Sequence, residues 1–74
     1  MIELKSASDR LETLQAKMQE YIDNGAQLGW LIDRPERQVY IYRPNQAVEI
    51  LDHPERVSGD PELAGLGVDL RSIW

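Results

Sequence analysis

The stretch Leu28-Gly29-Trp30-Leu31-Ile32-Asp33 constrains the fold of this chain more than any other part of it. A nearly continuous apolar run of this kind predicts a central β-strand covered on both faces. Arg34-Pro35-Glu36-Arg37 follows it. Proline at the second of four positions reads as a turn. Gln38 to Arg43 then alternates, with Val39 and Ile41 on one side and Tyr40 and Tyr42 on the other. Pro44-Asn45-Gln46 is a short connection to a further strand, Ala47 to Leu51. The expected result is an antiparallel meander.

Upstream, Ile2 to Lys5 reads as a strand with Ile2 and Leu4 on one face and Glu3 and Lys5 on the other. Asp9 reads as a helix N-cap, with Glu12 three residues on. The helix is expected from about Asp9 to Asn24. Its apolar stripe is Leu11, Leu14, Met18, Tyr21 and Ile22, and Asn24-Gly25 stops it. A helical crossover between the first two strands favours parallel, right-handed pairing. Asp52 to Gly67 holds two prolines and three glycines and reads as a looped excursion. Val68 to Trp74 reads as a strand or one helical turn. The expectation is a single small α/β domain over residues 1–74, ordered β-α-β-β-β, with one main helix on a mixed sheet. One helix leaves the second sheet face open, with Trp30, Tyr40 and Tyr42 on exposed surface unless something covers them.

The chain has 74 residues, with 42% hydrophobic and 28% charged, a globular composition. That length excludes two domains. No apolar stretch approaches the ~18 residues of a membrane span, and no basic region leads into an apolar run as in a secretory signal. The expected location is cytoplasmic. Cysteine is absent, which excludes disulfides and thiolate metal sites. A net charge of −5 argues against autonomous binding to nucleic acid or an anionic membrane. Ordering the chain costs on the order of 110 kcal/mol at ~1.5 per residue. Burying ~60% of roughly 12,000 Å², about 60% of it apolar, returns ~110 kcal/mol. The near-zero balance suggests that association, as a homo-oligomer or with a complementing chain, helps this chain fold.

An ordered set of segments resembles a known family. Glu3-Leu4-Lys5-Ser6-Ala7-Ser8-Asp9 closes a strand. Lys17 and Tyr21 lie on the helix, followed by Asn24-Gly25 and by Leu28 to Asp33. The tail Ser58-Gly59-Asp60-Pro61-Glu62-Leu63-Ala64-Gly65-Leu66 matches a closing G-x-x-x-L-x-G pattern and leads to Asp69-Leu70 and Ile73-Trp74. Together they resemble the Uma-two family, bacterial restriction-endonuclease-like proteins of the PD-(D/E)XK nuclease superfamily. The resemblance implies a partial restriction-endonuclease-like core, the C-terminal part of a nuclease domain. It also implies that the aspartate of the PD half-motif, the first metal carboxylate, is absent.

The superfamily cleaves phosphodiesters with Mg²⁺, two carboxylates and a lysine. Mg²⁺ prefers hard oxygen ligands. It polarises the phosphate and acidifies bound water. An ammonium nearby stabilises the developing charge. Glu3 and Lys5 fit the E-x-K half, about 6.5 Å apart on one strand face. The resemblance makes Glu3 a metal ligand and Lys5 the lysine over the phosphate or water. Lys17, at the edge of the apolar stripe, is a second candidate for the lysine.

Plainer readings stand beside these. E-x-K arises by chance on amphipathic strands. Lys17 fits a stem packed beside the core, with its head in water. Tyr21 fits a core residue with its hydroxyl at the edge, and His53 fits an exposed loop residue. With one histidine and no glycine-flanked serine there is no hydrolase triad. Arg34, Arg37 and Arg43 fit a solvated hairpin rim.

The leading expectation is a Mg²⁺-dependent DNA endonuclease of restriction-endonuclease-like type, truncated and inactive alone, with DNA as its partner when active. The alternative is a non-catalytic, self-associating or partner-binding remnant of the fold. A third class, a regulatory partner of basic proteins, rests on charge alone.

Overall fold

A computed structural model describes residues 2–58 and 67–72. In order they form β1 (Ile2–Lys5), α1 (Leu11–Asp23), β2 (Gly29–Asp33), β3 (Gln38–Tyr42), β4 (Glu49–Asp52), β5 (Arg56–Ser58) and β6 (Gly67–Asp69). The first four strands make one mixed sheet in the order β1-β2-β3-β4, and β5 and β6 make a separate two-stranded ribbon. No helix among the described residues is long and apolar enough to cross a membrane. Residues 59–66 and Ile73-Trp74, which carry part of the closing pattern, lie outside the described residues.

β1 pairs parallel to β2 with Ile2 opposite Trp30, Glu3 opposite Leu31 and Lys5 opposite Asp33. β2, β3 and β4 form the expected antiparallel meander, with Trp30 opposite Ile41 and Leu31 opposite Tyr40. Strand alternation then sorts the residues into two faces. Leu31, Tyr40 and Tyr42 face α1 and pack with Met18 and Ile22, flanked by Leu11, Leu14 and Tyr21. Trp30, Ile32, Val39 and Ile41 face the opposite way.

That second face is not open. Val57 of β5, Leu70 just after β6 and the half-buried Val68 cover it. Leu70 donates its backbone N–H to the Glu55 carbonyl at 2.7 Å, which locks the ribbon's ends together. Trp30 is therefore buried beneath the ribbon, while Tyr40 and Tyr42, on the opposite face, are buried beneath α1. The apolar run of β2 had already called for cover on both sides. The cover was hidden because two three-residue strands, interrupted by proline and glycine, carry too few alternating positions to read as strands.

Two element starts also differ, while the helix stop falls where expected. The helix starts at Leu11 with Arg10 as its N-cap, and no side chain caps it. Asp9 instead closes a tight turn, its N–H donating to the Ser6 carbonyl. That turn aims its carboxylate back at Ser6, whose N–H and hydroxyl donate to it at 3.0 and 3.1 Å. The Ser6 N–H, first, holds this acid below its ordinary value. At the other end, Gly25 N–H donates to the Ile22 carbonyl and Ala26 N–H to that of Tyr21. This is a Schellman stop, and Gly25 supplies its left-handed residue with φ +106°. β4 begins at Glu49 rather than Ala47, because Asn45, with φ +60°, turns the chain away first.

Two apolar side chains stay half exposed on the outer strand β1, Ile2 and Leu4, each at 53%. The packing predicts a clear contrast. Leu70→Ala should lower the free energy of urea unfolding by about 2–5 kcal/mol, because its side chain is fully enclosed beneath the second face. Leu4→Ala should change it by less than about 1 kcal/mol. Equal losses would contradict the assignment of the ribbon as cover.

Candidate functional site

The β1–β2 register places three ionisable side chains on the helix-facing side of the sheet: Glu3, Lys5 and Asp33. α1 crosses this face and adds Lys17 and Tyr21 from successive turns. Of the sequence-derived candidates, Glu3 and Lys17 are in contact, whereas Lys5 shares their side of the sheet and pairs with Asp33.

Glu3 is half-buried. Its Oε1 accepts a hydrogen bond from the Tyr21 hydroxyl at 3.2 Å and lies 3.1 Å from the Lys17 ammonium. Lys17 also sits over the Tyr21 ring, 5.9 Å from its centre, within cation–π range. Hydrogen bonding to Glu3, first, and to Tyr21 raises the Lys17 ammonium above its usual pKa. Tyr21 is thus the core residue with a working hydroxyl that its stripe position suggested. Lys17 keeps its head largely in water, so the pair is weakened by solvent screening.

Lys5 occupies a different environment. Its side chain is only 11% exposed, and its ammonium donates to the Ser6 carbonyl at 3.3 Å and lies 3.8 Å from Asp33 Oδ1. The Asp33 side chain is 1% exposed, and the same Oδ1 accepts the Glu36 N–H at 3.3 Å. That bond caps the β2–β3 turn, which Arg37 N–H closes onto the Arg34 carbonyl at 3.2 Å. A carboxylate this deep needs a counter-charge. Lys5 is that charge.

Asp33 is the site residue that sequence reasoning passed over. It read as the last residue of an apolar strand. The available signal was a lone acid ending a fully buried run, in parallel register with a lysine.

Other candidates lie elsewhere. His53 is exposed, as expected, with Nδ1 2.8 Å from Asp52 Oδ1. Arg43 lies 3.6 Å from Glu49 across the β3–β4 connection. Among the described residues no group of three or more acidic, histidine or cysteine side chains is placed to hold a metal ion. Glu3 offers the hard oxygen that Mg²⁺ prefers. Its donor set is incomplete within these residues.

The chain matches the family model Uma2, described as "Putative restriction endonuclease", over residues 1–71. This chain belongs to the Uma2 family. Its fold also matches a crystal structure titled as a "putative nuclease" of DUF820 from Anabaena variabilis ATCC 29413. The TM-score is 0.80 and the identity 30%, over 99% of this chain and 41% of the Anabaena chain. The Uma2 chain therefore spans less than half the length of that relative. No curated protein matches it. The α/β architecture and the family resemblance read from the sequence both hold.

The Glu3–Lys17 contact carries a pH prediction. A raised folded-state pKa means that the pair's contribution to stability is complete below the unfolded value of 10.5. It is lost as pH rises through the folded value. Glu3→Gln should return the Lys17 ammonium toward 10.5, followed by NMR titration of its side-chain carbons. An unmoved titration would show that Glu3 does not hold it.

Proposed function

We propose that this Uma2 chain contributes the E-x-K half of a metal-dependent phosphodiesterase site acting on DNA. Glu3 is the metal carboxylate, Lys5 the lysine at the reacting phosphate, and Lys17 a second cation at the rim. The observation that carries this reading is the common placement of Glu3 and Lys5 on the helix-facing side of β1, with Lys17 on Glu3. Family membership supports it. Mg²⁺ is the proposed ion, because a carboxylate suits hard cations. When bound, it would polarise the phosphate and lower the pKa of a coordinated water.

The remaining work falls to the chain's own residues. Glu3 would hold the ion with the oxygen that now faces Lys17. Lys17, largely in water at the rim, would be within reach of a phosphate oxygen. Lys5, fixed from behind, keeps a positive charge where negative charge develops. The described residues form no group of three or more metal-binding side chains, so a further acidic ligand would come from a second copy or a complementing chain. The chain's net charge of −5 fits a DNA-cleaving module whose nucleic-acid contacts are shared with such a partner.

A second reading is a non-catalytic module that associates through β1. Ile2 and Leu4 favour it, since both stand half exposed on a strand at the edge of the described sheet. Exposed edges of this kind pair readily with another chain.

One experiment separates the two. Supercoiled plasmid is incubated with the chain, alone and with the unmatched part of the Anabaena relative, in Mg²⁺ or in EDTA. The proposal expects metal-dependent nicking that falls at least ~100-fold in Glu3→Ala and Lys5→Ala, the size expected for loss of one charge-stabilising group. Nicking unchanged by Glu3→Ala, or none in either mixture, overturns it. Light scattering on the same samples tests the second reading, which expects a dimer that Leu4→Lys dissociates and which a micromolar monomer excludes.

A further inference from the structure

We infer that Asp33 is the positioning residue for Lys5: a buried carboxylate that fixes the ammonium from behind, so that the lysine is held at the site instead of swinging free. The inference rests on the proposed role of Lys5 and adds a residue that neither the E-x-K pattern nor the helix supplies.

Three observations converge on it. The parallel register sets Lys5 directly opposite Asp33, so both side chains leave the sheet on the same side. Both are enclosed, at 11% and 1% exposure, in contrast with Lys17 at 47%. The two polar anchors of Lys5 are fixed features: the Ser6 carbonyl at the end of β1, and an Asp33 Oδ1 already oriented by the Glu36 N–H.

The Asp33 contact is 3.8 Å, longer than a direct charge-assisted hydrogen bond. At that distance Asp33 acts mainly as a fixed negative charge. The Ser6 carbonyl, at 3.3 Å, gives the direction. Four rotatable carbons make a lysine entropically loose. An enclosed counter-charge and a carbonyl remove that freedom before any substrate arrives, which is what orientation in a catalytic site requires. Lys17 is held by Glu3 and Tyr21, but at an exposed rim where water screens the contact. The two lysines thus divide the work: Lys5 is the fixed charge and Lys17 the exchangeable one.

The test reads the lysine itself. In ¹⁵N-labelled chain at low temperature, an enclosed, hydrogen-bonded ammonium exchanges slowly enough to give its own ¹H–¹⁵N signal, assigned through its loss in Lys5→Met. The inference expects this signal in the parent chain. It expects the signal to vanish in Asp33→Asn, which keeps an acceptor for Glu36 N–H, while the backbone amides of β1 and β3 stay within their parent positions. Asp33→Glu should restore it in part. A Lys5 signal that persists in Asp33→Asn overturns the inference. So does a folded Asp33→Asn chain in which the signal is lost along with displaced amides of the β2–β3 turn, which marks Asp33 as a turn cap alone.

Should Asp33→Asn fail to fold, Lys5→Met/Asp33→Asn decides. A melting temperature recovered to within about 5 °C of Lys5→Met assigns the loss to a stranded ammonium and supports the pairing. No recovery overturns it. In the plasmid assay, Asp33→Asn should lower kcat at least tenfold with KM unchanged. Nicking that is absent from the parent chain and its mixture counts against the proposed function, while the ammonium spectrum still rules on Asp33.

Discussion

The parallel register between β1 and β2 is the constraint on which the rest of the molecule depends. Strand side chains alternate, so a slip of one residue would exchange the two faces of β1. Glu3 and Lys5 would then meet the apolar ribbon side, and Ile2 and Leu4 would lie under α1. Two features resist that slip. The Lys5–Asp33 pair forms only in the observed register. Glu3 reaches Tyr21 and Lys17 only from the helix-facing side. The polar cluster thus fixes the alignment of the strands as well as forming a candidate site.

The cluster depends in turn on a core built in two layers. α1 covers one face of β2 and β3 through Met18 and Ile22, and the ribbon covers the other through Val57 and Leu70. β2 is buried along its whole length because it is enclosed from both sides. Its final residue, Asp33, is therefore drawn into the interior, and the enclosure makes a lysine its necessary neighbour. Packing, rather than proximity in sequence, creates the Lys5–Asp33 pair.

Much of this was legible in the residues. The alternation of Ile2 to Lys5 and of Gln38 to Arg43 gave the correct faces. The Leu11–Ile22 stripe gave the helix, and Asn24-Gly25 its stop. Glu3, Lys5 and Lys17 were all recognisable as candidates; the structure joins Glu3 to Lys17 and pairs Lys5 with Asp33 on the same side of the sheet. Two things were not legible. The ribbon escaped because its strands are three residues long and lie far apart in sequence, so their pairing leaves no local period. Asp33 escaped because its meaning comes from a partner 28 positions away, set by a register that no spacing rule reveals. Asp9 misled for a related reason: its carboxylate had a nearer donor in Ser6 than in the helix it precedes.

The proposed site rests on Glu3 as a metal carboxylate held between β1, β2 and α1. The most direct measurement is a titration of the ¹⁵N-labelled chain with Mn²⁺ at substoichiometric concentration, with line broadening mapped along the sequence. Paramagnetic broadening falls steeply with distance and reports even weak occupancy. The account predicts broadening concentrated at Glu3, Lys5 and Tyr21 and removed by Glu3→Gln. Broadening centred on the exposed carboxylates Asp52 or Asp69, and unaltered by Glu3→Gln, would contradict it.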